Sequence, residues 1–340
     1  MSKTRVAING FGRIGRAFFK LAFENPDLEF VAINDLGDHE NLAYLLKYDT
    51  VYGRYERQVS LDKNNNLVVD GKAIEVLNEK DPVALPWKKL KVDVVIESTG
   101  VFTSKPDAEK HIQAGAKRVV ITAPAKDGVP YTLVGTNDDQ FKEGLDPITC
   151  NASCTTNASA PVAAVMMENP GVRKAMLNTV HGYTATQSLV DGPAKKDMRR
   201  GRAAAQNIVP SSTGAAASVA QSIPALNDKF DGIALRVPVI CGSIVDFTFL
   251  AQRKTAAEEI NDIFRKASQT PRWEKVLSVT EEPIVSSDII ADTHGSIVDL
   301  SMTRVVDGDL VKVLAWYDNE WGYSATLVEH VVRVGKLANS

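Results

Sequence analysis

The sequence predicts an α/β protein with two domains of different architecture. Three observations carry this prediction: a length of 340 residues with 44% hydrophobic content, apolar strands alternating with helices in the first half, and longer β-rich runs in the second. A chain of this length can bury two separate cores. Apolar strands that alternate with helices indicate a parallel sheet covered on both faces. The β-rich half indicates an α+β domain with a mostly antiparallel sheet.

The composition excludes several classes of protein. A net charge of −3 leaves no basic excess for nonspecific binding to nucleic acid. No apolar run reaches the length of a membrane span. The three cysteines, an odd and low number, indicate a reducing compartment, and no Cys/His cluster completes a metal site. Since the N-terminus leads directly into a strand, we expect a cytoplasmic protein without signal peptide, metal, or dedicated nucleic-acid or membrane partner.

The start of the chain has the pattern of a βαβ unit. A predicted strand, residues 5–8, is followed by a glycine-rich turn, a predicted helix, residues 16–24, and a second strand, residues 29–34. The first glycine of the turn permits a tight bend, the second lets the backbone approach a pyrophosphate, and the third lets helix and strand pack closely. The pattern predicts a Rossmann-type dinucleotide-binding domain, with an ordinary βα turn as the alternative. The G-x-G-x-x-G residues are Gly10, Phe11, Gly12, Arg13, Ile14 and Gly15.

An acidic residue completes this fingerprint. Asp35 follows the second strand, 20 residues after Gly15, where a carboxylate accepts hydrogen bonds from the adenine ribose hydroxyls. A 2′-phosphate there would be repelled, because two unit charges about 4 Å apart interact by roughly 4 kcal/mol at an effective dielectric near 20. The sequence therefore predicts NAD as the cofactor in preference to NADP. The alternative role for Asp35 is that of a turn-capping residue.

Further strands extend the predicted parallel sheet. Residues 92–97 and 119–122 are apolar strands, and residues 107–114 between them are helical. Their carboxyl ends lie at the edge where such sheets bind ligand. The polar side chains at these strand ends, which we expect to contact the cofactor, are Ser98, Thr99 and Thr122.

The second half of the chain contains longer strands. One predicted helix, residues 256–268, interrupts them, and a final helix, residues 324–334, has an apolar face that we expect to pack on the first domain. The predicted strands are residues 177–184, 233–239, 244–251, 297–303 and 310–317.

Two other stretches carry turn or loop signals. Asn64–Asn66 and Asp70–Gly71 predict a hairpin insertion in the first domain. Residues 189–212 are irregular and rich in Gly, Arg, Lys and Pro. Irregular stretches of this length are usually functional or lie at interfaces.

A lone cysteine among small hydroxyl residues marks a candidate catalytic centre. Cys154 precedes an alanine-rich predicted helix, residues 158–167, so the helix dipole and free N–H groups favour its thiolate. His181, at the end of a predicted strand, can hold or relay the proton. The alternative is a buried structural cysteine. With a dinucleotide fold, this pattern predicts thiolate attack on an aldehyde, hydride transfer to nicotinamide, and a thioester resolved by an acceptor.

Seven stretches, in order along the chain, form one recognisable set of motifs. They are residues 9–16 (NGFGRIGR), 97–100 (ESTG), 153–157 (SCTTN), 181–184 (HGYT), 212–216 (STGAA), 236–238 (RVP) and 316–320 (WYDNE). Together they make the sequence similar to phosphorylating glyceraldehyde-3-phosphate dehydrogenases. The resemblance implies a homotetramer that oxidises and phosphorylates glyceraldehyde 3-phosphate to 1,3-bisphosphoglycerate, with NAD and inorganic phosphate, in glycolysis or gluconeogenesis. We expect residues 1–152 and 318–340 to form the NAD-binding domain and residues 153–317 the catalytic and oligomerisation domain.

The resemblance also implies roles for single residues. Cys154 is the expected nucleophile and His181 its base and later acid. Asn319 is expected to orient the nicotinamide carboxamide, with Tyr323 close to that ring. The alternatives are a structural role for the histidine and a turn role for the asparagine.

Two anion sites are implied beside the cysteine. Thr184 and Arg236 are expected to hold the substrate's phosphate, since hydroxyls and an arginine fork are suited to phosphate. The alternatives are an internal ion pair for Arg236 and helix capping for the two hydroxyl residues that flank the cysteine. The residues expected to hold the attacking inorganic phosphate are Ser153, Thr155, Thr213 and Gly214.

The sequence departs from the family pattern without losing a catalytic group. Lys80 stands where an arginine near the adenine is common, and Ala217 where a lysine usually follows the Ser-Thr-Gly-Ala-Ala motif. Residues 239–242 (VICG) replace the common Thr-x-Asn-Val. One alternative is a relative that uses erythrose 4-phosphate and water, which usually lacks the complete Ser-Thr-Gly-Ala-Ala motif. The other is a non-catalytic binding relative, in which a damaged Cys/His pair is expected.

Overall fold

The computed structural model describes residues 2–194 and 197–339. Two positions of the predicted irregular stretch 189–212, Lys195 and Lys196, lie outside the described residues. The chain divides into two compact units after residue 152, and residues 318–326 belong to the second of them. Unit 1 comprises Met1–Thr132, Asp138–Ala152 and Leu327–Ser340, and unit 2 comprises Leu133–Asn137 and Ser153–Thr326.

Unit 1 contains an eight-stranded sheet in the order β10-β9-β8-β1-β2-β7-β6-β5. Strands β10, β9, β8, β1, β2 and β7 run parallel, so the predicted parallel sheet is confirmed. The helices and strands of unit 1 up to residue 150 are β1 Thr4–Asn9, α1 Arg13–Ala22, β2 Leu28–Asn34, α2 His39–Lys47, β3 Tyr48–Asp49, β4 Gly53–Arg54, β5 Val59–Leu61, β6 Leu67–Val69, β7 Lys72–Leu77, α3 Trp87–Leu90, β8 Val94–Glu97, α4 Lys105–Gln113, β9 Arg118–Ile121 and β10 Ile148–Cys150.

The position of β1 in this sheet creates a ligand-binding edge. Strand β1 pairs with β2 on one side and with β8 on the other, so the chain moves to opposite sides of β1. In open α/β sheets, ligands bind in the crevice at the carboxyl ends of the strands beside such a switch point. Beyond β7, strands β5 and β6 are antiparallel, which confirms the predicted hairpin insertion.

The core of unit 1 includes the end of the chain. Strands β1, β8 and β9 are buried along nearly their whole length, as a parallel sheet covered on both faces requires. Phe18 and Phe19 of α1 join this core, and so do Leu327, Val331 and Val334. These last three side chains belong to the final helix, so the expectation that it packs on the first domain is confirmed.

Unit 2 contains a seven-stranded mixed sheet in the order β12-β13-β11-β14-β17-β16-β15. The β11–β13 and β15–β16 pairs are parallel and the other neighbours antiparallel, which confirms the mostly antiparallel prediction. The elements of unit 2 are α5 Cys154–Glu168, β11 Val172–Gly182, β12 Val209–Ser212, α6 Ala215–Ser222, β13 Phe230–Val237, β14 Ser243–Ala251, α7 Ala257–Ser268, β15 Leu277–Thr280, β16 Ser296–Val306 and β17 Leu310–Tyr317. The final helix, α8 Trp321–Ala338, begins in unit 2 and belongs to unit 1 from Leu327 onward.

Burial explains why α5 and β14 adopt their places. Side chains along β14 alternate between buried and partly exposed, with Val245, Phe247 and Phe249 facing the core, as expected for a sheet with one covered face. Helix α5 is buried on all sides from Thr155 to Met166. Helix α6 was not predicted, because its short alanine-rich sequence lacks a helical pattern.

Among the described residues, no helix has both the length and the apolar character needed to cross a membrane.

We expect the Leu327→Ala variant to be destabilised by about 2–5 kcal/mol, the range for truncating a fully buried leucine. Leu327 is 0% exposed in the core of unit 1, and the truncation leaves a cavity there. Urea unfolding followed by tryptophan fluorescence measures the change in the free energy of unfolding. The control is Val83→Ala, because Val83 is 44% exposed in the same unit. Equal shifts in both variants would contradict the packing described for the final helix.

Candidate active site

Cys154 is the first residue of α5, and the residues before it fix its place. Ser153 caps the helix, with its Oγ accepting from the Thr156 N–H at 3.2 Å. Ala152 has a left-handed backbone, with φ of +56°, and its N–H donates to the Cys150 Sγ at 3.1 Å. Such a conformation costs a non-glycine residue of order 1–3 kcal/mol and is found mostly at functional sites. The turn into α5 is therefore held in one conformation.

His181 supplies the partner of the cysteine. It lies next to last in β11, and its Nε2 is 3.3 Å from the Cys154 Sγ. On the other side of the ring, Nδ1 lies 2.6 Å from the Gly182 carbonyl oxygen. The Gly182 carbonyl only accepts and so favours a proton on Nδ1, whereas the Arg236 Nη1, 2.8 Å from Nδ1, only donates and so favours a lone pair there. In the tautomer with the proton on Nδ1, the Nε2 lone pair faces the thiol. This tautomer can take a proton from Cys154.

The protonation states correct one prediction. Burial raises the pKa of the Cys154 thiol and outweighs Arg236 and the N–H groups at the start of α5, which lower it. Burial and Arg236 lower the pKa of His181 to about 3. The expectation that the helix N-terminus favours the thiolate is therefore wrong as a net effect. Both shifts favour a neutral thiol beside a neutral imidazole, which activates the thiol by accepting its proton.

The other two cysteines are unsuited to this chemistry. Cys150 and Cys241 are buried, whereas Cys154 is half-buried. Burial raises the pKa of Cys150 to about 12, so its thiol remains protonated at neutral pH. Cys154 is therefore the best candidate for a reactive thiol.

Arg236 lies beside the histidine because the two residues are register partners in the parallel β11–β13 pair. Its Nη1 is 2.8 Å from the His181 Nδ1 and donates to the Gly182 carbonyl at 3.1 Å. Its Nε is buried without a hydrogen-bond partner among the described residues. A buried donor on a guanidinium that lacks a partner is suited to an anionic ligand.

A second arginine near this position was missed by the sequence analysis. The Arg200 Nε and Nη2 donate to the Ser211 Oγ at 3.0 and 2.8 Å. Burial is the largest influence on the pKa of Arg236 and lowers it. The positive charge of Arg200 lowers this pKa as well. Its only sequence signal was its place in the irregular stretch 189–212, which contains several basic residues.

The remaining predicted phosphate residues occupy different surroundings. Thr155 Oγ1 is buried and lies 2.9 Å from the Tyr317 hydroxyl. Thr184 Oγ1 lies 2.9 Å from the Thr186 Oγ1. Thr213 Oγ1 accepts from the Ala215 N–H at 3.2 Å, and Gly214 precedes α6 without a side-chain cap. Ser153 and Thr155 are thus next to Cys154 in the chain, whereas the hydroxyls of Thr184 and Thr213 bond to residues two positions further along their own segments.

Asn319 follows β17 and has a fixed amide. Its Oδ1 accepts from the Gly242 N–H and from the Ser243 hydroxyl, both at 3.0 Å. With the oxygen engaged in this way, Nδ2 is the group that remains to donate to a ligand. Tyr323, two residues into α8, is 3% exposed, so its ring is part of the core of unit 2.

The carboxyl edge of the sheet in unit 1 contains a cavity of about 830 Å³. The glycine turn forms one wall. Gly10 has φ of +93°, and a Cβ on it would lie 2.6 Å from the Thr99 nitrogen. A Cβ on Gly15 would lie 2.3 Å from the Gly10 carbonyl, whereas Gly12 faces open space. Each glycine thus has the role that the fingerprint assigns to it.

Asp35 closes this cavity at the end of β2. Its Oδ2 accepts from the Phe11 N–H at 2.6 Å and its Oδ1 from the Gly37 N–H at 2.8 Å. Each oxygen keeps a lone pair for a ligand hydroxyl. The predicted cofactor residues that line the cavity are Gly10, Gly12, Asp35, Lys80, Ser98 and Thr99.

The other predicted cofactor residues in unit 1 are not among the lining residues. Phe11 packs its ring in the core against Phe19, and Arg13 Nη1 is 2.5 Å from the Asp49 Oδ2. Ile14 and Gly15 belong to α1, and the Thr122 Oγ1 donates to the Glu97 carbonyl at 3.1 Å.

Two lining residues were missed although a rule pointed to them. Asn9 and Asn34 are the last residues of β1 and β2, and both line the cavity. The Asn34 Nδ2 donates to the Asn9 Oδ1 at 2.7 Å, and the Asn9 Nδ2 donates to the Glu97 Oε2 at 2.6 Å. The strand-end rule that selected Ser98 and Thr99 also applies to these two asparagines.

This donor set fits a dinucleotide. The cavity offers a glycine turn open to a pyrophosphate at the start of α1 and a carboxylate at the end of β2, which are the groups that hold phosphate and ribose in such folds. Within the described ranges, no group of three or more His, Cys, Asp or Glu residues is arranged to hold a metal ion.

Two family models match most of the chain. Residues 4–105 match the NAD binding domain of glyceraldehyde 3-phosphate dehydrogenase, and residues 153–319 match its C-terminal domain. The first match confirms NAD as the cofactor.

Named relatives match over nearly the whole length. A glyceraldehyde-3-phosphate dehydrogenase of Streptomyces coelicolor is 50% identical over 332 residues, covering 97% of this chain and 98% of the relative. Enzymes with the same name from Mycolicibacterium smegmatis and Geobacillus stearothermophilus are each 47% identical, over 98% and 96% of both chains. These matches confirm the resemblance found in the motifs: the chain belongs to the glyceraldehyde-3-phosphate dehydrogenase family.

Proposed function

We propose that the protein catalyses the NAD-dependent oxidative phosphorylation of glyceraldehyde 3-phosphate to 1,3-bisphosphoglycerate. Membership of the family makes it an NAD-dependent oxidoreductase. The observation that carries the reaction is the contact of 3.3 Å between the Cys154 Sγ and the His181 Nε2. A nucleophile and a base at this distance, with the base oriented by a third group, are the parts that covalent catalysis needs.

The reaction begins with a proton transfer from Cys154 to the His181 Nε2. The Sγ then forms a bond to the aldehyde carbon, and the imidazolium returns the proton to the oxygen, which gives a thiohemiacetal. NAD supplies the acceptor for the hydride that leaves this carbon. His181 removes the hydroxyl proton as the C=O bond of the thioester forms. Inorganic phosphate attacks the thioester carbon, the C–S bond breaks, and Cys154 is released for the next cycle.

We propose residues that bind each part of the cofactor. We assign the pyrophosphate to the glycine turn that begins with Gly10 and the adenine ribose to Asp35, which is supported by the open space at Gly12. Asn319 is proposed to hold the nicotinamide carboxamide, since its Oδ1 is engaged within the protein. The further contacts that we propose are with Phe11, Arg13, Ile14, Gly15, Lys80, Ser98, Thr99, Thr122 and Tyr323.

We propose two anion sites that serve Cys154. Arg236 is assigned to the substrate's phosphate together with Thr184, because its Nε is a buried donor without a partner among the described residues. The attacking phosphate is assigned to Ser153, Thr155, Thr213 and Gly214.

We also propose a division of roles along the chain. Residues 1–152 with 318–340 form the cofactor domain, and residues 153–317 form the catalytic domain.

We also propose a homotetramer in the cytoplasm. One face of the sheet in unit 2 exposes large apolar side chains, including Met176 and Ile233. The stretch 189–212 exposes others, among them Leu189 and Met198. Exposed apolar side chains grouped in this way are typical of association surfaces. The reaction class and the low cysteine count fit a reducing compartment.

Purified protein is expected to form NADH from glyceraldehyde 3-phosphate only when phosphate is present. Cys154→Ser should abolish this activity while NAD binding is retained, because a serine hydroxyl is far less ionised than a thiol. Absorbance at the NADH wavelength measures the rate, and calorimetry measures NAD binding. The control is Cys150→Ser, which removes a buried thiol near the same turn. A rate that does not depend on phosphate would favour oxidation of erythrose 4-phosphate with water, and no rate at all would favour the non-catalytic relative.

Arg236→Ala should lower kcat/KM for glyceraldehyde 3-phosphate about ten- to a hundredfold more than for unphosphorylated glyceraldehyde, since a charge-assisted hydrogen bond contributes roughly 1.5–3 kcal/mol. Kinetics with both aldehydes measure the difference. Arg199→Ala serves as the control, because Arg199 is an exposed arginine. An equal loss with both aldehydes would show that Arg236 acts only through His181, and the phosphate assignment would be wrong.

The wild-type protein should prefer NAD over NADP by at least about tenfold, because a 2′-phosphate is repelled by the Asp35 carboxylate. Asp35→Asn should reduce this preference by lowering kcat/KM for NAD and raising it for NADP. The matched variant is Glu79→Gln, which removes another negative charge from the lining of the same cavity. If Glu79→Gln relaxes the preference as much as Asp35→Asn, the whole field of the cavity selects the cofactor and the specific claim for Asp35 does not hold.

A further inference from the structure

A single buried hydroxyl joins the backbone that follows the histidine to the asparagine of the candidate site. Ser243, the first residue of β14, is 2% exposed. Its Oγ accepts from the Gly182 N–H at 3.2 Å and donates to the Asn319 Oδ1 at 3.0 Å. A serine hydroxyl has one hydrogen to donate, so the bond to Asn319 uses it and the bond from Gly182 uses a lone pair. The two contacts therefore form one directed chain.

On one side, this chain reaches the residue that orients the base. Gly182 follows His181, and its carbonyl oxygen lies 2.6 Å from the His181 Nδ1. The Gly182 N–H is buried against Ser243, and without that hydroxyl it would lose its hydrogen-bond acceptor. A buried N–H that loses its acceptor is left without a hydrogen bond, which is unfavourable. The backbone that orients the imidazole thus depends on Ser243.

On the other side, the hydroxyl determines which way the Asn319 amide points. The amide oxygen and nitrogen have almost the same shape, so only hydrogen bonds distinguish the two orientations. Two strong donors, the Ser243 hydroxyl and the Gly242 N–H, meet Oδ1 at 3.0 Å, and the Cys241 thiol is a weak donor to the same atom at 3.8 Å. Gly242 has φ of +94°, and a Cβ there would lie 2.5 Å from the Ser286 carbonyl oxygen. The Gly242 N–H is therefore fixed by the backbone, and Ser243 supplies the second donor.

We propose that Ser243 is a positioning residue that orients the Asn319 amide and the Gly182 peptide together, so that the nicotinamide-binding Nδ2 and the histidine base are set by the same hydroxyl. This role rests on the proposed function, in which Asn319 holds the nicotinamide carboxamide. Ser243 itself is buried behind both residues and acts through them. Its loss should weaken recognition of the nicotinamide half of the cofactor and leave recognition of the adenosine half unchanged.

The test compares NAD with ADP-ribose, which lacks the nicotinamide. In calorimetry, Ser243→Ala should raise the Kd for NAD about fivefold, the effect of one lost hydrogen bond, and leave the Kd for ADP-ribose unchanged. The matched control is Ser296→Ala, since Ser296 also begins a strand of the same sheet, is fully buried, and has no hydrogen-bond partner for its hydroxyl among the described residues. Ser243→Cys, which keeps a weak donor, should fall between Ser243→Ala and the wild type.

Further measurements separate positioning from a general structural effect. In the Asn319→Ala background, Ser243→Ala should no longer change the Kd for NAD, because its partner is absent. A loss that persists in that background, an equal loss for NAD and ADP-ribose, or no difference from Ser296→Ala would overturn the proposal. If the wild type forms no NADH from glyceraldehyde 3-phosphate while the binding effects are as expected, the proposed function fails and the positioning role stands.

Discussion

The contact between the Cys154 Sγ and the His181 Nε2 depends on how helix α5 and strand β11 pack in the folded chain. The two residues are 27 positions apart. Cys154 begins α5, which is buried along most of its length, and His181 is next to last in β11, which pairs with strands on both sides. Because both elements are fixed by the core of unit 2, a distance of 3.3 Å is maintained by the fold as a whole. The backbone strain at Ala152 belongs to the same constraint, since it is retained only where the surroundings stabilise it.

Arg236 acts on this contact in two opposite ways. Its charge lowers the pKa of Cys154, which favours loss of the thiol proton, and also lowers the pKa of His181, which opposes gain of that proton. Under the proposed function, the substrate's phosphate pairs with the guanidinium and offsets this charge. Both effects are then reduced when substrate is present: the histidine becomes a better base, and the thiol becomes a weaker acid. Register explains the arrangement, because His181 and Arg236 are neighbours across the β11–β13 pair.

The sequence predicted what depends on local pattern and on motifs. The glycine turn, the parallel sheet, the hairpin insertion and the final helix's place in the core of unit 1 follow from spacing, composition and apolar periodicity. The thiolate prediction was wrong because the effect of a helix N-terminus can be read from the sequence, whereas the burial that opposes it at Cys154 cannot. Arg200 and Ser243 were missed for a related reason. Their importance comes from hydrogen bonds to Ser211 and to Asn319, respectively, and these pairings follow no sequence pattern.

The stretch in which this sequence departs from its family shows which contributions depend on side chains. In this chain Gly242 holds Asn319 through its backbone N–H and has a left-handed backbone, which glycine favours. Cys241 donates weakly to the Asp318 Oδ1 at 3.3 Å, and this carboxylate already accepts backbone N–H groups from Ala291, Glu320 and Trp321. A weak donor is sufficient there, because Asp318 remains satisfied by the backbone. Ser243, the residue after Gly242, contributes instead through its side chain. Its hydroxyl has two buried partners, the Gly182 N–H and the Asn319 Oδ1.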